Sequence, residues 1–383
     1  AMALDPNLAE AHAATGHVLL IQGNFEEALT HFEQAIQLNP NYSIVYTWLG
    51  IGSIFMGHYD ESFAAHEKGL RLDPLSLPTH HNYVGGLIAR NRLAEADREI
   101  EKFASISPSL YATMRGRLAS VGGKWAYAVL GDLEAFRIDP ERVRRTVLSW
   151  YFAAIGLEKE ALAISESPGP LALRMLGKPD DAVTVAEARV ADEPDSLWNR
   201  HDLGLALASA GDYARARPIL EEMWQRSGGR ITSMYRGLLR TDSAAALIVI
   251  RRDAGKEAEV GELVAAIRDN VRRYREAGLI RGGALWGIDY EEGFAAYLSG
   301  ERERGLALIA RGVEDGAFIP QREAYLQVLY DDPGFAPIRK MQETRQARER
   351  ERFLTIVCTD NPYAAVWQPA EGTCERFATG VKN

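Results

Sequence analysis

The sequence predicts an all-α chain, a right-handed superhelical solenoid of antiparallel helix pairs that loses regularity towards its C-terminus. Three observations predict it. Pro6, Pro40, Pro74 and Pro108 stand 34 residues apart. Small residues hold fixed places between those prolines. Apolar residues recur with the helical period of 3.6, and no stretch alternates in the manner of a strand.

Each proline closes a similar phrase: Leu4-Asp5-Pro6, Gln37-Leu38-Asn39-Pro40, Arg71-Leu72-Asp73-Pro74 and Ser105-Ile106-Ser107-Pro108, with Arg137-Ile138-Asp139-Pro140 following after 32 residues. Proline lacks an amide hydrogen and pushes its predecessor towards extended backbone, so each phrase reads as the end of a second helix. Within the units, Gly16 and Gly50 permit close approach of two helices, while Gly23 and Gly57 supply the left-handed residue that ends the first helix. Ala28 and Ala35 lie on one helical face, where a bulky side chain would force the pair apart. Phe25, Phe32, Tyr59 and Tyr213 fill the space between helices. Gly204, Gly211, Tyr213 and Ala216 repeat the pattern far downstream.

Between these units the pattern drifts. Trp125 stands in the place of Tyr59. Further helical hairpins read over Arg142–Ser167 with Gly156 and Ala161, and over Leu171–Glu193 with Gly177 and Ala182. Ser243–Ala277 contains Gly255, and Tyr290–Glu314 has Gly293, Gly300 and Gly305. The pairs Gly122-Gly123, Gly228-Gly229 and Gly282-Gly283 read as hinges. The organisation is therefore regular repeats over 4–140, degenerate hairpins over 141–315, and a C-terminal stretch over 316–383, roughly eight or nine hairpins in all. That last stretch reads as a charged helix, Pro337–Val357, and an irregular tail with Asn361-Pro362 and Gln368-Pro369. A solenoid needs its terminal apolar face covered, and a cap is the reading for this helix and tail.

Composition narrows the function. A net charge of −9 argues against a phosphate-binding surface. The basic groups Arg142, Arg144 and Arg145, and Arg268, Arg272 and Arg273, sit among acidic residues and read as solvated helix faces. No stretch reaches the roughly 18–20 apolar residues of a membrane helix. Seven of the eight histidines precede residue 82, namely His12, His17, His31, His58, His66, His80 and His81, without the spacing that converges on a metal. No phosphate loop, serine elbow, zinc-type cysteine pair or His-Glu-x-x-His helix is present, so no cofactor and no catalytic residue is nominated. Cys358 and Cys374 are the only cysteines, which is cytosol-like usage. Both lie where the repeats have ended, and a disulfide between them would place the chain in the periplasm or outside the cell.

The 34-residue period, with Gly16, Gly23, Ala28, Phe32, Ala35 and Pro40 in their places, resembles the tetratricopeptide repeat. The Leu4-Asp5-Pro6-Asn7 spacing resembles the C-terminal repeat regions of bacterial signalling and regulatory proteins. Leu4-Asp5-Pro6 reads as the end of a repeat, so the natural chain is expected to continue N-terminally, and a leader cannot be judged. The resemblance implies a ligand groove along the first helices of successive repeats. By offset from Gly16, Gly50 and Val84, its positions are Ala13, His17 and Leu20; Thr47, Ile51 and Ile54; His81, Gly85 and Ile88. Family members that clamp a terminal carboxylate carry Lys, Arg and Asn there, and these positions do not. An apolar or amphipathic protein or peptide ligand follows. The same isoleucines equally suit packing between repeats, or a groove filled by the chain's own tail. The function implied is a protein-binding scaffold, the sensory or adaptor part of a larger signalling protein. A receptor enclosing a small peptide or small molecule stands second and a helical-solenoid enzyme third.

Overall fold

The computed structural model describes residues 7–378 except 142, 166, 232–238, 281–286 and 321. The Leu4-Asp5-Pro6 ending, Arg142 and the Gly282-Gly283 pair lie outside them. Nine helical hairpins follow one another among the described residues. They are α1 (Ala9–Gln22) with α2 (Phe25–Leu38), α3 (Ser43–Met56) with α4 (Tyr59–Leu72), and α5 (Leu77–Ala89) with α6 (Leu93–Glu101). Next come α7 (Pro108–Ala119) with α8 (Trp125–Ile138), α9 (Arg145–Ala154) with α10 (Glu158–Ala163), and α11 (Pro170–Met175) with α12 (Pro179–Asp192). The last three are α13 (Leu197–Ala210) with α14 (Tyr213–Arg226), α15 (Thr241–Asp253) with α16 (Val260–Glu276), and α17 (Ile288–Leu298) with α18 (Arg302–Glu314). Then come the short α19 (Gln327–Tyr330), the long α20 (Ala336–Val357) and α21 (Glu375–Ala378). First helices pack on first helices, α1 on α3, α3 on α5, α5 on α7, and α9 through α11, α13 and α15 to α17. The chain is an all-α repeat solenoid.

The recurring small residues explain the pairing. A Cβ on Gly50 would lie 2.5 Å from the His66 ring, so α3 makes room for a side chain of α4, and a Cβ on Gly131 would lie 2.6 Å from the Gly116 Cα, so α7 meets α8 at backbone range. Gly23, Gly57 and Gly211 cap α1, α3 and α13 in the left-handed conformation, with φ of 82°, 76° and 83°. Pro108 departs from the expected ending. Helix α6 stops at Glu101, turns follow, and Pro108 is the first residue of α7. Proline is favoured there because its missing amide hydrogen would have no partner in the first turn anyway.

The solenoid folds back on itself along the edge formed by its hairpin turns. Gly23 in the first turn faces Leu197 of α13, and Gly57 in the second faces Arg273 of α16. The Ile280 amide donates to the Ala89 carbonyl at the third turn (2.9 Å). Gly123 in the fourth meets Gly316 and Arg345, and Gly156 in the fifth meets Gln346 and Arg350 of α20. Gly316 has φ 110°, and a Cβ there would press on the Gly123 backbone, so neither position tolerates a side chain. The closure is sealed at one end by the Tyr59 ring tilted against Tyr274 with centroids 4.8 Å apart, and at the other by Phe353 and Trp367 against Phe152.

Candidate binding surface

The nine groove positions lie on α1, α3 and α5, and the structure divides them. Ala13 and Thr47 are each 1% exposed. Ala13 belongs to the core of the first two hairpins, and Thr47 Oγ1 sits 2.6 Å from Thr79 Oγ1. Leu20 and Ile88 are buried within the clusters of their own hairpins. Ile54 packs with Tyr59, Val271, Tyr274, Leu279 and Ile288, beneath the end of α16. In this structure those five are packing residues. Apart from His81, the positions three before and four after Gly16, Gly50 and Val84 turn towards neighbouring hairpins or towards the folded-back half. His17, Ile51, His81 and Gly85, like Ile54, are half-exposed, and Ile51 packs in part against the core of the first two hairpins. His17 stacks on Trp48 with ring centroids 4.5 Å apart.

The surface extends onto α7 by a residue that the spacing misplaced. A Cβ on Gly85 would lie 3.8 Å from the Arg117 guanidinium, so Arg117 continues the row His17, Ile51, Gly85. A strict 34-residue frame puts Leu118 opposite Gly50 and Val84. The close crossing of Gly116 with Gly131 shows that the fourth unit is shifted by two residues. The 32-residue spacing to Pro140 carried that signal. The described groove therefore ends on a cation rather than being apolar throughout.

Two buried groups beside this surface have displaced titration. His66, under Gly50, is lowered to about 4 because burial penalises its charged form, only partly opposed by a hydrogen bond with the Thr47 backbone. Asp132 of α8 is raised to about 6 by burial, against the opposing pull of Thr113 and Arg117.

The first-helix face of the C-terminal half is closed by the chain itself. After α18 the segment Ala317–Pro320 runs without regular structure and fully buried. Gln342 of α20 holds it in place, accepting from the Ile319 amide at 2.7 Å and donating to the Ile319 carbonyl at 2.8 Å. Arg345 donates to the Val313 and Ala317 carbonyls. Residues Ala324–Leu326 then lie on α13 and α15. Glu323 reaches Arg174 of α11, which donates to it at 2.7 Å, to Ser209 Oγ at 2.9 Å and to the Tyr325 hydroxyl at 3.3 Å. The pair is 3% and 1% exposed. Burial alone would lower Arg174, but Glu323 beside it holds the guanidinium above its ordinary value.

Next to this pair, Ser243 Oγ and His201 Nε2 stand 2.6 Å apart. That is the separation of a nucleophile and its base. Ser243 has no exposed surface and His201 is 2% exposed, so the pair serves as a buried link between α13 and α15. Among the described residues no group of three His, Cys, Asp or Glu could hold a metal. No helix among them is long and apolar enough to cross a membrane.

Cys358 and Cys374 are bonded, with Cα atoms 5.3 Å apart. The bond pins the tail against α9 and α10. Tyr363 and Trp367 enter the cluster of Phe152 and Phe353, and Glu160 accepts from the Ala370 amide and the Thr373 hydroxyl.

Comparison with known proteins places two segments in the repeat class. Residues 9–42 and residues 198–222 each match a family model described as the tetratricopeptide repeat. No curated protein matches the sequence. Among solved structures, the chain is similar to a tetratricopeptide repeat protein from Parabacteroides merdae ATCC 43184, at 11% identity and TM-score 0.32, covering 75% of this chain and 98% of that one. It is also similar to Pseudomonas aeruginosa pilF, at 15% identity and TM-score 0.24, covering 70% of this chain and 95% of that one. The first matched segment covers α1 with α2, and the second lies within α13 and α14, so the two stretches similar to the tetratricopeptide repeat are each a helical hairpin of this chain.

Proposed function

We propose that this chain is a protein- or peptide-binding scaffold whose ligand lies on the first-helix face of hairpins 1–4. The observation that supports it is the contrast between the two halves. The C-terminal first-helix face is occupied by Glu323, Tyr325 and Leu326, while the N-terminal face leaves His17, Ile51, His81, Gly85 and Arg117 half-exposed. A row of imidazole, isoleucine and glycine ending on an arginine suits an amphipathic segment with an apolar body and one acidic group. The glycine lets a ligand backbone come close. A role as the sensory or adaptor part of a larger signalling protein fits such a module, because the repeats would present the row while another domain responds.

The test is Ile51→Glu, measured by affinity capture of partners and by titration of the captured partner. Losing the apolar contact alone weakens binding about ten- to hundredfold, and an unpaired carboxylate adds to it. Glu27→Lys, on the exposed face of α2, leaves binding intact. Wild-type affinity in a normally melting Ile51→Glu variant would place the partner elsewhere.

A further inference from the structure

The ring of His80 is buried near the start of α5 with an oxygen facing each of its nitrogens. Nε2 stands 2.8 Å from the Pro74 carbonyl, in the connector that leads from α4 to α5. Nδ1 stands 2.8 Å from Glu99 Oε1 of α6, an ion-pair contact bent away from the line of a hydrogen bond. His80 is 2% and Glu99 6% exposed, and Lys102 donates to the other Glu99 oxygen at 2.6 Å. The preceding hairpin shows which ring hydrogen is fixed. Tyr46 and Pro40 stand 34 residues before His80 and Pro74, and the Tyr46 hydroxyl donates to the Pro40 carbonyl at 2.9 Å. The position is a donor to the proline carbonyl in both repeats, so Nε2 carries a hydrogen. The residue in the place of Glu99 changes with the donor, and it is Ala65 where the donor is a phenol. In the first hairpin the same two places hold His12 and His31, whose Nδ1 atoms are 3.1 Å apart.

With hydrogen on Nε2, a neutral ring would turn the lone pair of Nδ1 towards a carboxylate in a site screened from solvent. The other neutral tautomer would set a bare Nε2 against the Pro74 carbonyl. A protonated Glu99 would relieve the first clash, but Glu99 is a carboxylate. Burial works to raise it, and the hydrogen bonds from His80 and Lys102 outweigh burial and hold it below the ordinary carboxylate range. We infer that His80 is an imidazolium latch, which carries both ring hydrogens and ties hairpin 3 to the connector from hairpin 2 for as long as Glu99 is charged, so that the placement of α5 is pH-sensitive. Around the pair, Asp73 of the connector holds the Leu75 amide, His66 of α4 bonds with the Thr47 backbone of α3, and Arg115 of α7 pairs with Asp97 and Glu101. Tyr83 of α5 itself feels the Glu99 charge. An imidazolium that the fold requires stabilises at low pH, and its share is lost as pH rises until the ring gives up the Nδ1 hydrogen. Glu99 gives up its share in the opposite direction, as pH falls through its lowered value. The latch is therefore shut across the neutral range and opens on either side. His81 and Gly85 ride on the same helix, so the latch sets their place, and it stands whether or not the His17–Arg117 row binds a ligand.

Long-range proton–nitrogen NMR spectra of the full chain, labelled at histidine, read the ring directly, with the His80 signals assigned by their loss in His80→Gln. At about pH 8, where a free imidazole is neutral, both His80 nitrogens carry hydrogen in the wild type. Glu99→Gln removes the charge and keeps the shape, and it leaves hydrogen on Nε2 alone at that pH. Amide exchange over 76–83, corrected for the intrinsic rate, rises about tenfold or more from neutral pH to the pH at which the wild-type ring loses its Nδ1 hydrogen. His80→Tyr with Glu99→Ala copies the pair Tyr46 and Ala65 into hairpin 3 and abolishes that rise. A neutral wild-type ring at about pH 8 overturns the inference, as does a doubly protonated ring in Glu99→Gln at that pH. So does an exchange rate that stays level when the wild-type ring loses its hydrogen, or a rise that persists in the double variant.

Discussion

Replacing Glu323 by glutamine keeps its shape and removes its charge, which isolates the energetic role of the segment that closes the C-terminal face. Arg174 would keep its charge in a site where it is 3% exposed, hydrogen-bonded to neutral acceptors alone, the introduced amide oxygen, Ser209 Oγ and the Tyr325 hydroxyl, with Asp242 the anion that remains nearby. Breaking a buried pair by removing one partner costs about 3–5 kcal/mol, because the remaining charge stays desolvated and unpaired. The same cost attends Arg174→Met, which strands the Glu323 carboxylate. The double variant Arg174→Met, Glu323→Leu has no stranded charge, and apolar replacement of a buried pair is neutral to about 4 kcal/mol stabilising. Urea unfolding followed by circular dichroism and tryptophan fluorescence measures the wild type and all three variants. Amide exchange at Ala324–Tyr330 reports whether the segment loosens first, since Tyr325, Leu326 and Leu329 are buried beside the pair. A loss below about 1 kcal/mol in either single variant would refute the reasoning. So would a double variant as unstable as the sum of the singles.

Two buried titratable groups make opposite predictions on acidification, and the tail makes a redox one. His66 is near 4 folded against 6.5 unfolded, so the unfolded chain takes the proton first and stability falls as pH drops from 6.5 to 4, by about 3 kcal/mol in all. Stability measured against pH checks this, and a slope that His66→Gln leaves unchanged refutes it. Asp132 is near 6 folded against 3.8, so its share of stability rises over that falling range, and Asp132→Asn gains about 1–3 kcal/mol at pH 7. A gain that fails to shrink at pH 4 contradicts the assignment. Cys358→Ser lowers stability by roughly 3 kcal/mol without reductant and leaves it unchanged with reductant. Equal melting of wild type and variant without reductant rules out a stabilising bridge.

The sequence by itself determined the helical repeat, because its marks are local. Gly23, Gly57 and Gly211 end helices through their own backbone freedom, and Gly16 and Gly50 meet partners within their own hairpins, at Phe32 and His66. The boundaries of α20 and of the last hairpins were legible for the same reason. Even the two-residue shift that puts Arg117 in the groove was present, in the interval before Pro140. Only the tertiary structure decided which groove positions face outward. Ile54 and Ile51 are alike in sequence and both half-buried, yet Ile54 packs on residues more than two hundred positions away while Ile51 packs on the core of the first two hairpins. Likewise nothing in the sequence singled out Glu323, which the fold placed against Arg174. The repeat pattern reports what each helix needs from its immediate neighbours. Closure of the solenoid depends on how small rotations between hairpins accumulate, and that sum brings residue 57 to residue 273 and residue 123 to residue 316.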